Sequence, residues 1–228
     1  TSTLGQILAA GNLASVQFFI NGIKTQTRGL DFVVSYRNIG LGSGTLGINL
    51  AGNYNISNEI LGSPNDPPAI SEAGATILNT QVKSLLQEGR PKYKVILGFD
   101  YAIKKFNVVF SNTLFGPTKF QDLDNGGSAM ENIKQEFKPG IVSDLNIGYN
   151  FSRSFSASIM INNIFNVLPK WELKALNAEG QAVLDDPEDK NLLEGFLAFS
   201  GRYSILGYNG SQFSQLGTIF MGQLTFKF

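Results

Sequence analysis

Ser154–Phe165 reads SFSASIMINNIF, and it alternates. Phe155, Ala157, Ile159, Ile161 and Phe165 fall on one face with Asn163, while Ser154, Ser156, Ser158 and Asn162 fall on the other. A repeat of two is the period of an extended strand, whereas a helix would repeat its apolar positions every three to four residues. The same rhythm extends outward from this stretch. Upstream, Leu145, Ile147, Tyr149 and Phe151 alternate with Asp144, Asn146, Gly148 and Asn150. Downstream, Leu216–Phe228 places Phe220, Leu224, Phe226 and Phe228 opposite Gln223, Thr225 and Lys227. Further alternating runs carry Phe106, Val108, Phe110 and Leu114, then Tyr93, Val95, Leu97, Phe99, Tyr101 and Ile103. Two more hold Leu46, Ile48 and Leu50, and Leu30, Phe32, Val34 and Tyr36. The pattern predicts seven antiparallel strands, near 16–37, 45–55, 93–103, 106–116, 142–151, 154–165 and 215–228, with a polar extension of the first over 16–27.

The apolar stretches are close to the roughly 9–11 residues with which a tilted strand crosses a bilayer. Aromatic residues gather at strand ends, among them Tyr36, Tyr54, Tyr101, Phe106, Tyr149, Phe151 and Phe155, where interfacial girdles place them. The connections alternate in length: 38–44, 104–105 and 152–153 are short, and 56–92, 116–141 and 166–215 are long. Outer-membrane barrels sort their connections in this way, short turns at one rim and long loops at the other. The fold class implied is all-β, a transmembrane antiparallel barrel wall. Charged residues make up 16% of the chain, low for a soluble domain, yet no run approaches the roughly 20 apolar residues of a membrane helix.

Net charge is zero, which speaks against nucleic acid as a partner. The chain has no Cys and no His, which removes thiol chemistry, the commonest general base and the usual metal ligand. No catalytic constellation is evident, and no enzyme activity or cofactor is expected. Asp122 and Asp124 in DLDNGG offer oxygen atoms of the type calcium takes, but such an Asp/Asn/Gly cluster reads first as a turn. The run Asp185, Asp186, Glu188 and Asp189 reads as solvated loop. In the first long loop, Asn79 or Thr80 caps a short helix bearing Val82, Leu85 and Leu86 that Gly89 ends. A helical turn is expected around 130–137. Asp31, Arg37, Lys94, Asp100, Asp144 and Asn146 form the polar face.

Four stretches carry a resemblance to a known family. QFFINGIKTQTRGLD (Gln17–Asp31) holds Thr27, Arg28, Gly29, Leu30 and Asp31; SDLNIGY (Ser143–Tyr149) precedes NNIFNVLP (Asn162–Pro169), with Asn162, Asn163 and Phe165; LTFKF (Leu224–Phe228) ends the chain. In this order they resemble the C-terminal barrel region of TonB-dependent outer-membrane receptors, and GRYSILGYNG before the last strand is similar to receptors of Bacteroidota-like bacteria. Gly29 has an independent reading as a bulge or tight bend. Asn162 and Asn163 read as hydrogen-bonding to loop backbone as readily as to a ligand.

The resemblance implies that 1–228 form the C-terminal part of a receptor barrel, about seven of roughly 22 strands, with the plug domain outside this chain. It implies active uptake of a ferric siderophore or similar metal chelate, with glycan import of the SusC type, or a structural or secretion-associated barrel binding protein partners, as alternatives. Implied partners are outer-membrane lipid, TonB acting through the plug, the barrel-assembly machinery and a surface lipoprotein. Phe226 and Phe228 match the terminal assembly signal.

Overall fold

The computed structural model describes residues 21–199, 203–204 and 211–228. Expectations for 16–20, and most of GRYSILGYNG, lie outside the described residues. Seven strands form one antiparallel sheet: β1 (Lys24–Leu41), β2 (Gly44–Leu61), β3 (Tyr93–Ile103), β4 (Phe106–Phe115), β7 (Gly140–Asn150), β8 (Phe155–Asn162) and β12 (Ile219–Phe226). Each pairs with its neighbour in this order, so β1 and β12 are the edges and the sheet stays open. The turns 42–43, 104–105 and 151–154 lie at one end, and the connections 62–92, 116–139 and 163–218 at the other. The seven expected strands are all present, with several boundaries moved.

Each displaced boundary has a local cause. β1 continues past the expected turn at Asn38, because Asn38 adopts a φ of 63° and absorbs a register shift between Tyr36 and Ile39. The chain turns instead at Gly42, whose φ is 61°. β2 runs on to Leu61, and Ser57–Leu61 pairs with Lys24–Arg28 as a ribbon beyond the rest of the sheet. β8 stops at Asn162, because Asn163 takes a φ of 53°. Phe165 is therefore in the following turn, 68% exposed, and not on the strand as its periodicity suggested. β12 starts only at Ile219, since Gly217 holds a φ of 76° and the Thr218 hydroxyl donates to the Asn163 carbonyl at 2.7 Å.

The excursion between β4 and β7 is bracketed by Pro117 and Pro139. Proline has no N–H for a sheet ladder, so each ends regular pairing where it stands. Between them lie β5 (Thr118–Phe120), a short helix α3 (Leu123–Gly126), a 3₁₀ turn (Gly127–Glu131) and β6 (Ile133–Phe137). The helical turn expected over 130–137 is thus a strand from Ile133 onward, and its alternation of buried and half-buried residues is the strand's own period. After β8, β9 (Trp171–Ala175) joins β6, giving a second sheet of order β5-β6-β9. The helices α4 (Ala178–Asp185) and α5 (Pro187–Leu197) follow. The run read as loop is therefore largely helical, and Asp186 caps α5 by accepting from the N–H groups of Glu188 and Asp189 at 2.8 and 3.2 Å. A two-residue pair, β10 (Ala198–Phe199) with β11 (Tyr203–Ser204), completes the strands.

In the first long connection, α1 (Pro68–Ser71) precedes α2 (Thr80–Gln87). Asn79 caps α2, its side chain accepting from Val82 N–H at 2.9 Å. Gly89 N–H returns to Ser84 O, which closes the helix close to where its glycine suggested.

Candidate functional site

Residues directly opposite one another on paired strands share a face. One row of the main sheet runs Tyr36, Ile48, Phe99, Phe110, Leu145, Ile161 and Phe220; the next runs Tyr101, Val108, Ile147 and Ile159. These rows make a broad apolar face, and no layer of the described residues covers its middle: Ile147 is 40% and Ile159 59% exposed. Phe32 lies over Gly52, where a Cβ would come within 2.6 Å of its ring, so the glycine makes room for the aromatic. Towards the short turns the face ends in a chain of rings. Phe106–Tyr149, Tyr149–Phe151, Phe151–Phe155 and Phe155–Phe226 have centroids 4.5, 4.8, 4.8 and 4.7 Å apart. Phe226 is therefore the last ring of a girdle that spans β4 to β12. Phe228 lies two residues past the strand and is fully exposed.

The opposite face carries Asp31, Asn53 and Lys94 in one row, and Ser35, Asn49, Ser111 and Asp144 in another. Asn107 donates to Asp100 Oδ1 at 2.7 Å, and Lys94 sits 5.2 Å from the centre of the Phe115 ring. The expected polar residues are thus together on one side.

Thr27–Asp31 lie in β1. The register shifts between Arg28 and Gly29, and a Cβ on Gly29 would meet Tyr54 O at 3.0 Å. Thr27 and Arg28 side chains bond to Asn58 and Gln26. Asn163 is 6% exposed and binds backbone: its Nδ2 donates to Val167 O at 2.7 Å, and its Oδ1 accepts from Val167 N–H at 2.9 Å. Its own N–H donates to Asp144 Oδ1 at 2.8 Å. It is a structural knot joining β7, the turn after β8 and the start of β12. The alternation also hid a polar pair within the apolar face. Asn112 stands opposite Ser143, whose Oγ donates to Asn112 Oδ1 at 2.7 Å, with Ser143 only 2% exposed. A polar group on such a face needs an internal partner, and each supplies the other's.

At the long-connection end, β5-β6-β9 and the helices make a lobe with its own core of Met130, Ile133, Leu193 and Leu197, against which Leu123, Trp171, Leu173, Val183 and Leu184 pack. Its other sheet face is a charge ladder. Lys138 pairs with Glu172 at 2.6 Å, and Lys174 bridges Glu136 at 3.0 Å and Glu172 at 3.7 Å; Lys134 pairs with Glu88. The hydrogen bond from Lys138 holds the Glu172 carboxyl below its ordinary range, and the bond to Glu136 raises Lys174. Asp122 is 1% exposed and accepts from Asn125 N–H and Nδ2 at 3.1 and 2.8 Å, while Asp124 accepts from Gln81 at 3.2 Å. These carboxylates are engaged in turn and loop bonds. A cleft of about 1000 Å³ opens between the turn after β8, β9 and α5.

Comparison of this chain with protein-family models, with curated proteins and with solved structures returns no match. Among the described residues no helix is long and apolar enough to cross a membrane, which says nothing of strands.

Proposed function

We propose that this chain forms part of the wall of an outer-membrane β-barrel that takes up a ferric siderophore or similar metal chelate with TonB-derived energy. The observation that carries the membrane placement is the uncovered apolar face of the seven-stranded sheet, bounded by its chain of rings. In water such a face is an aggregation hazard; in hydrocarbon it is the stable surface, and the polar face then borders the lumen. Both sheet edges pair with further strands of the same polypeptide, since an unpaired edge in lipid leaves backbone groups unsatisfied. The loop-end lobe faces outward and Phe228 the periplasm. The substrate class and the energy source rest on the sequence resemblance alone.

This chain has no cysteine of its own, so single-cysteine labelling requires only that any cysteines elsewhere in the polypeptide be replaced. In the full-length protein, Asp185→Cys reacts with an impermeant maleimide on intact cells, and Arg153→Cys reacts only after the outer membrane is opened. The reverse pattern removes the topology. For transport, radiolabelled ferric chelate enters cells carrying the protein and stops when the inner-membrane gradient is collapsed. Uptake of an oligosaccharide instead points to the SusC-type reading, and uptake of neither, with a protein partner retained on purification, to a structural barrel.

A further inference from the structure

β9 bonds to β6 through alternate residues only. Lys138 N–H donates to Lys170 O at 2.8 Å and Leu176 N–H to Asn132 O at 2.9 Å, which marks the even-numbered residues of this strand as those facing β6. The register agrees, pairing Lys134 with Lys174 and Glu136 with Glu172. In an antiparallel ladder the intervening residues turn their N–H and C=O groups the other way. Trp171, Leu173 and Ala175 therefore direct theirs away from β6, and no described residue of this chain bonds to them. Their side chains are not free: Trp171 and Leu173 pack against the lobe core. The exposed feature is the backbone edge, and it opens on the cleft of about 1000 Å³ bounded across by Lys190 and Glu194 of α5.

We propose that this edge receives an extended segment of a partner protein as a fourth strand of the β5-β6-β9 sheet. Only a polypeptide backbone repeats donors and acceptors at the spacing of about 7 Å that alternate residues of a strand present. Charge favours an acidic segment. The cleft holds Lys138, Lys170 and Lys190 against Glu172 and Glu194; Lys138 is spent on Glu172, and of the three groups that make no ion pair among the described residues, Lys170 and Lys190 outnumber Glu194. The inference concerns the lobe alone and does not depend on transport or on membrane placement.

Trp171 is the single tryptophan of the chain and belongs to the edge itself, so its fluorescence reports occupancy directly. The probe is acetyl-Asp-Val-Asp-Val-Asp-Val-amide, titrated into the purified full-length protein in detergent, with a Trp171→Phe counterpart to identify the emission that belongs to Trp171. Binding shifts Trp171 emission, and the Lys-Val counterpart binds more weakly. Two further peptides carry N-methyl groups on either the Val or the Asp residues. Strand addition requires that one set lose affinity by about tenfold or more while the other binds as before, because only alternate N–H groups face β9. Equal binding of both methylated peptides, or no emission change at millimolar peptide, overturns the proposal. Ala175→Pro removes one outward N–H without touching the β6 bonds and should weaken binding; if that variant misfolds, the methylated pair still decides.

Discussion

The main sheet and the loop-end lobe use hydrophobic residues in opposite ways. Among the described residues every buried hydrophobic side chain lies in the long connections, from Leu78 through Phe120, Met130, Ile133 and Phe137 to Leu193, Leu197 and Ala198. The seven long strands contribute none, and instead expose Leu30, Val34, Tyr36, Ile159, Phe220 and Leu224 by 60% or more, or nearly so. The lobe is built around a buried apolar core, with a ladder of paired charges on its other sheet face. The sheet is built the other way round. Fold stability in the lobe comes from burial against other side chains, whereas the sheet relies on its backbone ladder and on what surrounds it.

That contrast can be broken at the lobe core first. Phe137 is completely buried. Phe137→Ala should cost about 3–5 kcal/mol of lobe stability, read as an earlier denaturant midpoint of Trp171 fluorescence, with the strand content seen by circular dichroism unchanged at that midpoint. A simultaneous loss of both signals would show that sheet and lobe are one cooperative unit.

The two faces of the sheet come next. Ile159 and Ser158 are neighbours on β8 that point to opposite sides. In lipid bilayers, Ile159→Arg should destabilise the full-length protein by about 2–4 kcal/mol, while Ser158→Arg should be nearly silent. Equal tolerance of both, measured by refolding into vesicles, would sink the membrane assignment.

The junction of the two regions gives a smaller effect. Asn163→Ala strands two Val167 backbone groups and puts a Cβ-bearing residue without a compensating side-chain bond at positive φ. The expected loss is about 2–3 kcal/mol. Asn163→Gly should recover about 1 kcal/mol of it, since glycine adopts that φ freely. If Gly and Ala behave alike, backbone conformation is not part of the cost.

The charge ladder is weaker still, because its groups are exposed and screened. Glu172 is lowered in the folded lobe, so its contribution is present above the ordinary glutamate pKa of about 4.3 and disappears as pH falls through the lowered value. Lys174 is raised, so its contribution is present below about 10.4 and disappears as pH rises through the raised value. Lobe melting should be flat near neutrality and fall at both extremes, and Glu172→Gln or high salt should flatten the acid limb. An acid limb that survives both changes belongs to other groups.

Deleting Phe228 should change stability least, since the residue is past β12 and fully exposed. On the assembly-signal proposal, insertion slows and unassembled chains collect in the periplasm, while heat resistance of assembled protein stays the same. Normal assembly with reduced heat resistance would make Phe228 a packing residue.

The sheet was legible from residue pattern because a period of two is a local property: Phe155, Ala157, Ile159 and Ile161 declare their face without reference to any other strand. Gly89 marked a helix end, and Asn79 or Thr80 its start, for equally local reasons. The lobe was less legible. Ile133–Phe137 is only five residues, too short to separate strand from helix by period, and the acidic run after Asp185 reads as loop until Asp186 is seen to cap α5. Asn112 and Ser143 were invisible as a pair, being polar residues at apolar positions on strands that meet only after the long excursion through β5 and β6.

The sequence by itself thus determined which residues share a face, roughly where strands begin and end, and that connections alternate between short and long. Only the tertiary structure decided that β4 pairs with β7 and β8 with β12, that Asn163 ties three segments together, and that β9 closes on β6 with its other edge unpaired among the described residues. The physical reason is the range of the interactions. Alternation and capping act within a few residues, whereas strand partners and buried polar pairs are chosen by contacts between distant segments, which no local pattern encodes.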